Sequence, residues 1–146
     1  MVRDTILAFK TKVASLTYRE KVSLGRNLLC SLRARLSKCG LSPSQVEERI
    51  NSLVRLAVSA DGIAGNEEYD LYCNVFERRI PYEHFFSLTN YGTDPEFVSE
   101  MNGFIDSLSD DGKLECCEFI FLFLSSDYKF DREEEKLLRL LLHEDL

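Results

Sequence analysis

Four carboxylates are spaced so that they can act together. Asp61 and Glu68 lie seven residues apart, and so do Asp127 and Glu134. In each case an apolar stretch runs into the Asp, the chain turns, and more acids open the next helical pattern. Two carboxylates about 5 Å apart repel by roughly 3 kcal/mol at an effective dielectric near 20. Four converging acids therefore need a cation, protons or arginine partners, and hard oxygen ligands of this kind suit Ca2+ or Mg2+. In that arrangement Asp61 and Asp127 are ligands from the turns, Glu68 and Glu134 are ligands from the helices that follow, and Glu67, Asp131 and Glu133 support or cap them. The same residue types have a plain structural use. Asp-Gly forms turns, and a glutamate in a first helical turn offsets the positive end of the helix dipole by about 0.3–1 kcal/mol.

The two segments repeat. A shift of 66 positions lays Leu56 on Leu122, Ser59 on Ser125, Asp61 on Asp127, Glu67 and Glu68 on Glu133 and Glu134, and Leu71 on Leu137. Most of these matches are polar or flank the turn, which an apolar period alone does not produce. The expectation is a pair of related helix-turn-helix units, about 44–77 and 113–143. At these segments, Ala57-Val58-Ser59-Ala60-Asp61-Gly62 with Glu67-Glu68, and Ser125-Ser126-Asp127 with Glu133-Glu134, the chain resembles the TerB-like (tellurite-resistance B-like) family. The resemblance covers about residues 44–143. Tyr128 stands where the family pattern has Gly, and Gly65-Asn66 where it has an acidic or hydroxyl cap. The resemblance implies an all-helical, non-enzymatic module that binds a divalent cation through these acids and works with a protein partner, as in a stress-response system.

Other chemistry is weakly supported. Residues 107–118 can be read as an EF-hand loop, with Gly112 at position 6, Leu114 at position 8 and Glu118 at position 12, but serine stands where the first two acids belong. Five cysteines, an odd number without C-x-x-C spacing, and only two histidines argue against zinc. They point to a reduced, cytoplasmic setting. His84 and His143 have no nucleophile or carboxylate at a suggestive spacing, so no enzyme is expected.

Charge is segregated. The net charge is −7, yet residues 1–40 carry nine Lys/Arg against two acids, and the remainder carries nine against twenty-three. Arg19, Lys21, Arg26, Arg33, Arg35 and Lys38 lie in one helical stretch. They suit phosphate contacts with nucleic acid or an anionic membrane. Alternatively the basic segment docks on the acidic body of its own chain.

The elements that position these groups are helical throughout. Apolar residues recur at helical spacing at Tyr18, Val22, Leu28, Leu29, Leu32 and Leu36, and again at Val46, Ile50, Leu53, Val54, Ala57 and Val58. Thr17 to Glu20 reads as a capping box and Gly40 as the residue closing that helix. Pro81 and Asp94-Pro95 open further helices. The almost wholly apolar stretch from Leu114 to Ser126, after a turn at 109–112, must lie in the core. A last helix is expected over 131–143. The aromatic residues Phe85, Phe86, Phe104, Phe119, Phe121 and Phe123 read as core. No apolar run approaches the roughly 20 residues of a membrane span, and no signal-peptide pattern is present. The sequence thus predicts one all-α domain over residues 1–146, a bundle of about seven helices, with a basic segment (1–40) ahead of a TerB-like core (44–143).

Overall fold

The most apolar stretch of the chain forms the helix on which most of the others pack. The structure, a computed structural model, describes residues 2–60, 66–89 and 95–124. All its regular elements among these residues are helices: α1 (Val2–Ala14), α2 (Tyr18–Lys38), α3 (Pro43–Ala60), α4 (Asn66–Val75), α5 (Tyr82–Thr89), α6 (Pro95–Asp106) and α7 (Asp110–Leu124). Helix α7 packs against α1, α2, α3, α4 and α6. Cys116, Cys117, Phe119, Ile120, Phe121, Leu122 and Phe123 are all buried, and a helix so enclosed has little polar face to give to water. The fold is therefore an all-α bundle built around α7. The expected helix over 131–143 lies outside the described residues. So does most of the second proposed helix-turn-helix unit.

Local signals set the helix limits. Thr17 Oγ1 accepts from the Glu20 backbone N–H at 3.2 Å, and the Glu20 carboxylate accepts from the Thr17 N–H at 2.9 Å. These bonds hold the Glu20 carboxyl below its usual range. Gly40, at φ 91, closes α2, and its N–H donates to the Ser37 carbonyl at 3.1 Å. Helix α4 ends in the same left-handed way, but on Glu77, at φ 55. The Arg78 N–H returns to the Cys73 carbonyl at 3.1 Å, the long-range bond of a Schellman ending. The Asn74 carbonyl takes its bond from the Arg26 guanidinium of α2, at 3.0 Å.

The expected apolar faces form the core except at the start of α2, where Tyr18 is exposed and Val22 only partly buried. Leu28, Leu29, Leu32 and Leu36 of α2 and all six residues named on α3 are buried. Gly25 adds a contact that periodicity does not reveal: a Cβ built there would lie 2.6 Å from Val75 Cγ2 and 3.0 Å from Leu122 Cδ2. The absent side chain lets α2 come close to α4 and α7.

Three expectations are corrected. The turn placed at 109–112 is shorter, because α7 already begins at Asp110. Ser109 caps it, its Oγ accepting from the Gly112 N–H at 3.2 Å. Phe86 does not join the core; it is 49% exposed, while Phe85 is fully buried. On a helix of only eight residues the two neighbours point different ways, and one face of α5 meets α3. Phe104 is half-buried beneath the Arg49 guanidinium, 4.7 Å from its ring centre.

Candidate functional site

The acidic turns come first. Helix α3 carries the chain to Ala60 and α4 resumes at Asn66. Asp61 lies between them, outside the described residues, as do Asp127, Asp131, Glu133 and Glu134. Glu67 is in the first turn of α4, but its side chain is outside the description too. Glu68 is therefore the one proposed ligand whose side chain is described. It is 3% exposed. A first-turn glutamate that serves only the helix dipole sits in water, and burying a carboxylate costs several kcal/mol unless a positive group or hydrogen bonds meet it. Among the described residues no three His, Cys, Asp or Glu side chains come together in a way that could hold a metal.

The EF-hand reading of residues 107–118 is overturned. An EF-hand needs a twelve-residue loop that wraps its ligands around the ion. Here residues 110–118 are helical, so successive side chains fan outward around α7. Glu115 turns to Arg35 of α2 instead. Glu118 is half-buried, and burial, reinforced by nearby Glu115 and opposed by Lys12, raises its pKa.

The basic residues of α2 are placed differently from one another. Arg33 forms a two-pronged pair with Glu47 of α3, Nε to Oε1 at 2.7 Å and Nη2 to Oε2 at 3.2 Å. The Arg35 Nε–H donates to Glu115 of α7 in a largely sheltered pair, the side chains being 33% and 14% exposed. Arg26 reaches the end of α4, through the Asn74 carbonyl and, at 3.9 Å, Glu77. Lys21 is 2% exposed, inside the bundle rather than on a basic face, and it has an interaction partner there. Arg19 and Lys38 remain exposed. Four of the six cationic groups thus serve contacts within this chain, and an open basic stripe along α2 is not what they form.

Two features carry no signal in the sequence. Tyr72 is buried and donates to Asn51 Oδ1 at 2.8 Å; the Arg78 guanidinium donates to the Tyr72 hydroxyl and lies 5.6 Å from its ring centre. Burial raises the Tyr72 pKa despite Arg78. Asn51 in turn donates to the Glu47 carbonyl at 2.9 Å, so the chain of bonds runs from the end of α4 across α3. No local spacing marks it, because its members are far apart in sequence. The second feature is the cysteine distribution: Cys30 and Cys39 are exposed, and Cys73, Cys116 and Cys117 are buried. Burial pushes the Cys117 thiol up to about 12 and raises Cys116 as well. The vicinal pair is therefore inert packing. His84 is exposed on α5 and makes no side-chain hydrogen bond among the described residues.

No helix of the described residues is long and apolar enough to cross a membrane. Comparison of the chain with protein-family models, with curated proteins and with solved structures found no match.

Proposed function

We propose that this chain is a non-enzymatic, TerB-like helical interaction module of the cytoplasm, which binds a divalent cation, Ca2+ or Mg2+, at its acidic turns and engages a protein partner. The observation that supports this reading is the burial of Glu68. A ligand role, unlike a dipole complement, suits a carboxylate that is withdrawn from water at the start of α4 and has an interaction partner there. Asp61, a few residues earlier in the chain, is the natural co-ligand. Asp127 and Glu134 are the equivalent pair of the second segment, with Glu67, Asp131 and Glu133 supporting.

A second reading is favoured by Lys21. It is buried on α2, which packs against α4, and an ammonium inside the bundle can neutralise a buried carboxylate without any metal. On that reading the acids are structural and the module is a scaffold only. The rival use of α2 as a binder of nucleic acid or anionic membrane is disfavoured, since Arg26, Arg33 and Arg35 already hold neighbouring helices.

The test is a thermal melt in EDTA, Ca2+ or Mg2+ of wild type, Asp61→Asn/Asp127→Asn, Glu68→Gln and Lys21→Met. A cation at 100 times its dissociation constant adds about 2.7 kcal/mol, or roughly 5–10 °C in a chain of this size. The reading expects that rise in wild type and in Lys21→Met, and its loss in both acid variants. No rise at millimolar metal, with Lys21→Met strongly destabilised in EDTA, establishes the scaffold reading instead.

A further inference from the structure

A cavity of about 400 Å³ lies between the C-terminal end of α2 and the α6–α7 junction. Ser31, Arg35 and Lys38 line one wall; Ser107, Leu108 and Ser109 line the other. Its hydrogen-bonding capacity is one-sided. Lys38 is exposed, and among the described residues none of its three N–H donors is spent on an ion pair or hydrogen bond. Among the described residues Arg35 spends only its Nε–H, on Glu115. That bond anchors the guanidinium plane and leaves both terminal nitrogens. Ser109 Oγ accepts from the Gly112 N–H, so its own hydrogen is still to be placed. Ser31 makes no hydrogen bond among the described residues. Only the Ser107 hydroxyl has its hydrogen committed, to the Phe104 carbonyl at 2.6 Å. The backbone N–H groups of Asp110 and Asp111 open α7 beside it without intrahelical acceptors. The cavity is therefore rich in donors and carries two cationic groups, and the carboxylates near it do not line it.

We propose that this cavity binds the phosphate group of a small phosphomonoester. A metal ion is repelled by Arg35 and Lys38. A planar carboxylate offers two oxygens, which one wall can saturate. A phosphate offers three terminal oxygens in a tetrahedral array, which can accept from the guanidinium and ammonium of one wall and from Ser109 of the other at once. The apolar contact of Leu108 suits the carbon portion of the ester. Asp110 and Asp111, exposed at the start of α7, work against any anion and limit the affinity.

The experiment is an NMR titration of the full chain at constant ionic strength with phenyl phosphate, inorganic phosphate and benzoate. The proposal expects saturable shifts of the amides from Ser107 to Gly112 with phenyl phosphate, weaker binding of inorganic phosphate, and none of benzoate. Lys38→Gln should weaken phenyl phosphate about tenfold, the loss of a hydrogen bond to a charged group. Asp110→Asn/Asp111→Asn should tighten it. Arg19→Gln removes the same charge elsewhere on α2 and should leave it unchanged. All these substitutions are at exposed positions. Equal weakening by Lys38→Gln and Arg19→Gln reduces the effect to general charge and overturns the site. Benzoate binding as well as the ester overturns the phosphate assignment, inorganic phosphate binding equally well overturns the ester, and unsaturable shifts overturn binding altogether.

Discussion

Gly25 offers the sharpest test of how the bundle is assembled. In an isolated helix, replacing a mid-helix glycine with alanine stabilises by about 0.8–1.0 kcal/mol. In this bundle the new Cβ would meet Val75 Cγ2 at 2.6 Å, Val75 Cγ1 at 3.3 Å and Leu122 Cδ2 at 3.0 Å. Val75 cannot simply swing away. It is buried, β-branched and in a helix, so one χ1 state dominates and both methyls already have neighbours. Overpacking of this kind costs about 1–3 kcal/mol. Set against the propensity gain, Gly25→Ala should destabilise by up to about 2 kcal/mol, or as much as several degrees in melting temperature for a chain of this length. The assay is urea unfolding with a double-mutant cycle. Val75→Ala alone loses two buried methyls and should cost about 1.5–2.5 kcal/mol. In the double variant the methyl introduced by Gly25→Ala occupies the space that Val75 gave up, so the two losses should fall short of additivity by about 1–2 kcal/mol. If Gly25→Ala raises stability by about 1 kcal/mol, or if the two substitutions add, then α2 does not approach α4 through this glycine and the packing reasoning fails.

Other consequences follow from single groups. Glu77 ends α4 in the left-handed region, a conformation that costs a non-glycine residue about 1–2 kcal/mol, and its 3.9 Å contact with Arg26 is too exposed to offset much; Glu77→Gly should raise the melting temperature, and a fall would contradict the Schellman assignment. Titration with a thiol reagent should find two fast cysteines, Cys30 and Cys39, in the native protein and all five in denaturant; a rapid third thiol would place the Cys116–Cys117 region in solvent. Burial raises the Glu118 pKa above its ordinary 4.5, so the folded state binds the proton more tightly than the unfolded one. The stability this contributes is fully present below 4.5 and is lost as pH rises through the raised value. Glu118→Gln should therefore gain stability over wild type between acid and neutral pH, and denaturation midpoints for the two proteins that run parallel across that range would refute it.

Much of the fold is legible in sequence because helices advertise themselves locally. The buried leucines of α2 and the apolar face of α3 follow from the 3.6-residue period alone, and the Thr17–Glu20 box and Gly40 closure from residue type. What is not legible depends on partners distant in the chain. Gly25 by itself is a mild interruption of a helix, and only the positions of Val75 and Leu122 reveal its purpose. Glu77 gives no signal because a glutamate is seldom used at a left-handed position. Ser109-Asp110-Asp111-Gly112 reads as a loop because those residue types favour turns and helix starts alike; Ser109 capping α7 decides between them. The same ambiguity governs the acidic site. Asp and Glu around a turn serve caps and cations equally well, and what the structure adds is that Glu68 is buried.

The segregation of charge along the chain has its own physical explanation in the packing. A segment with nine cations and two acids packs on a body with a large acidic excess. The final pairs show where the attraction is spent: Arg33 on Glu47 of α3, Arg35 on Glu115 of α7, and Arg26 on the C-terminal end of α4. Each joins α2 to a different helix, so together they fix the rotation of α2 about its own axis, something a stripe of similar leucines specifies poorly. Exposed pairs contribute little net energy, and the leucines supply the driving force. The pairs act instead on register, since rotating α2 by one residue would separate all three at once and bring Lys21 out of the bundle. Charge asymmetry in a sequence is thus no sign by itself of an external anionic partner. Here four of the six cations of α2 are engaged within the chain, and Arg19 and Lys38, at opposite ends of the helix, remain exposed.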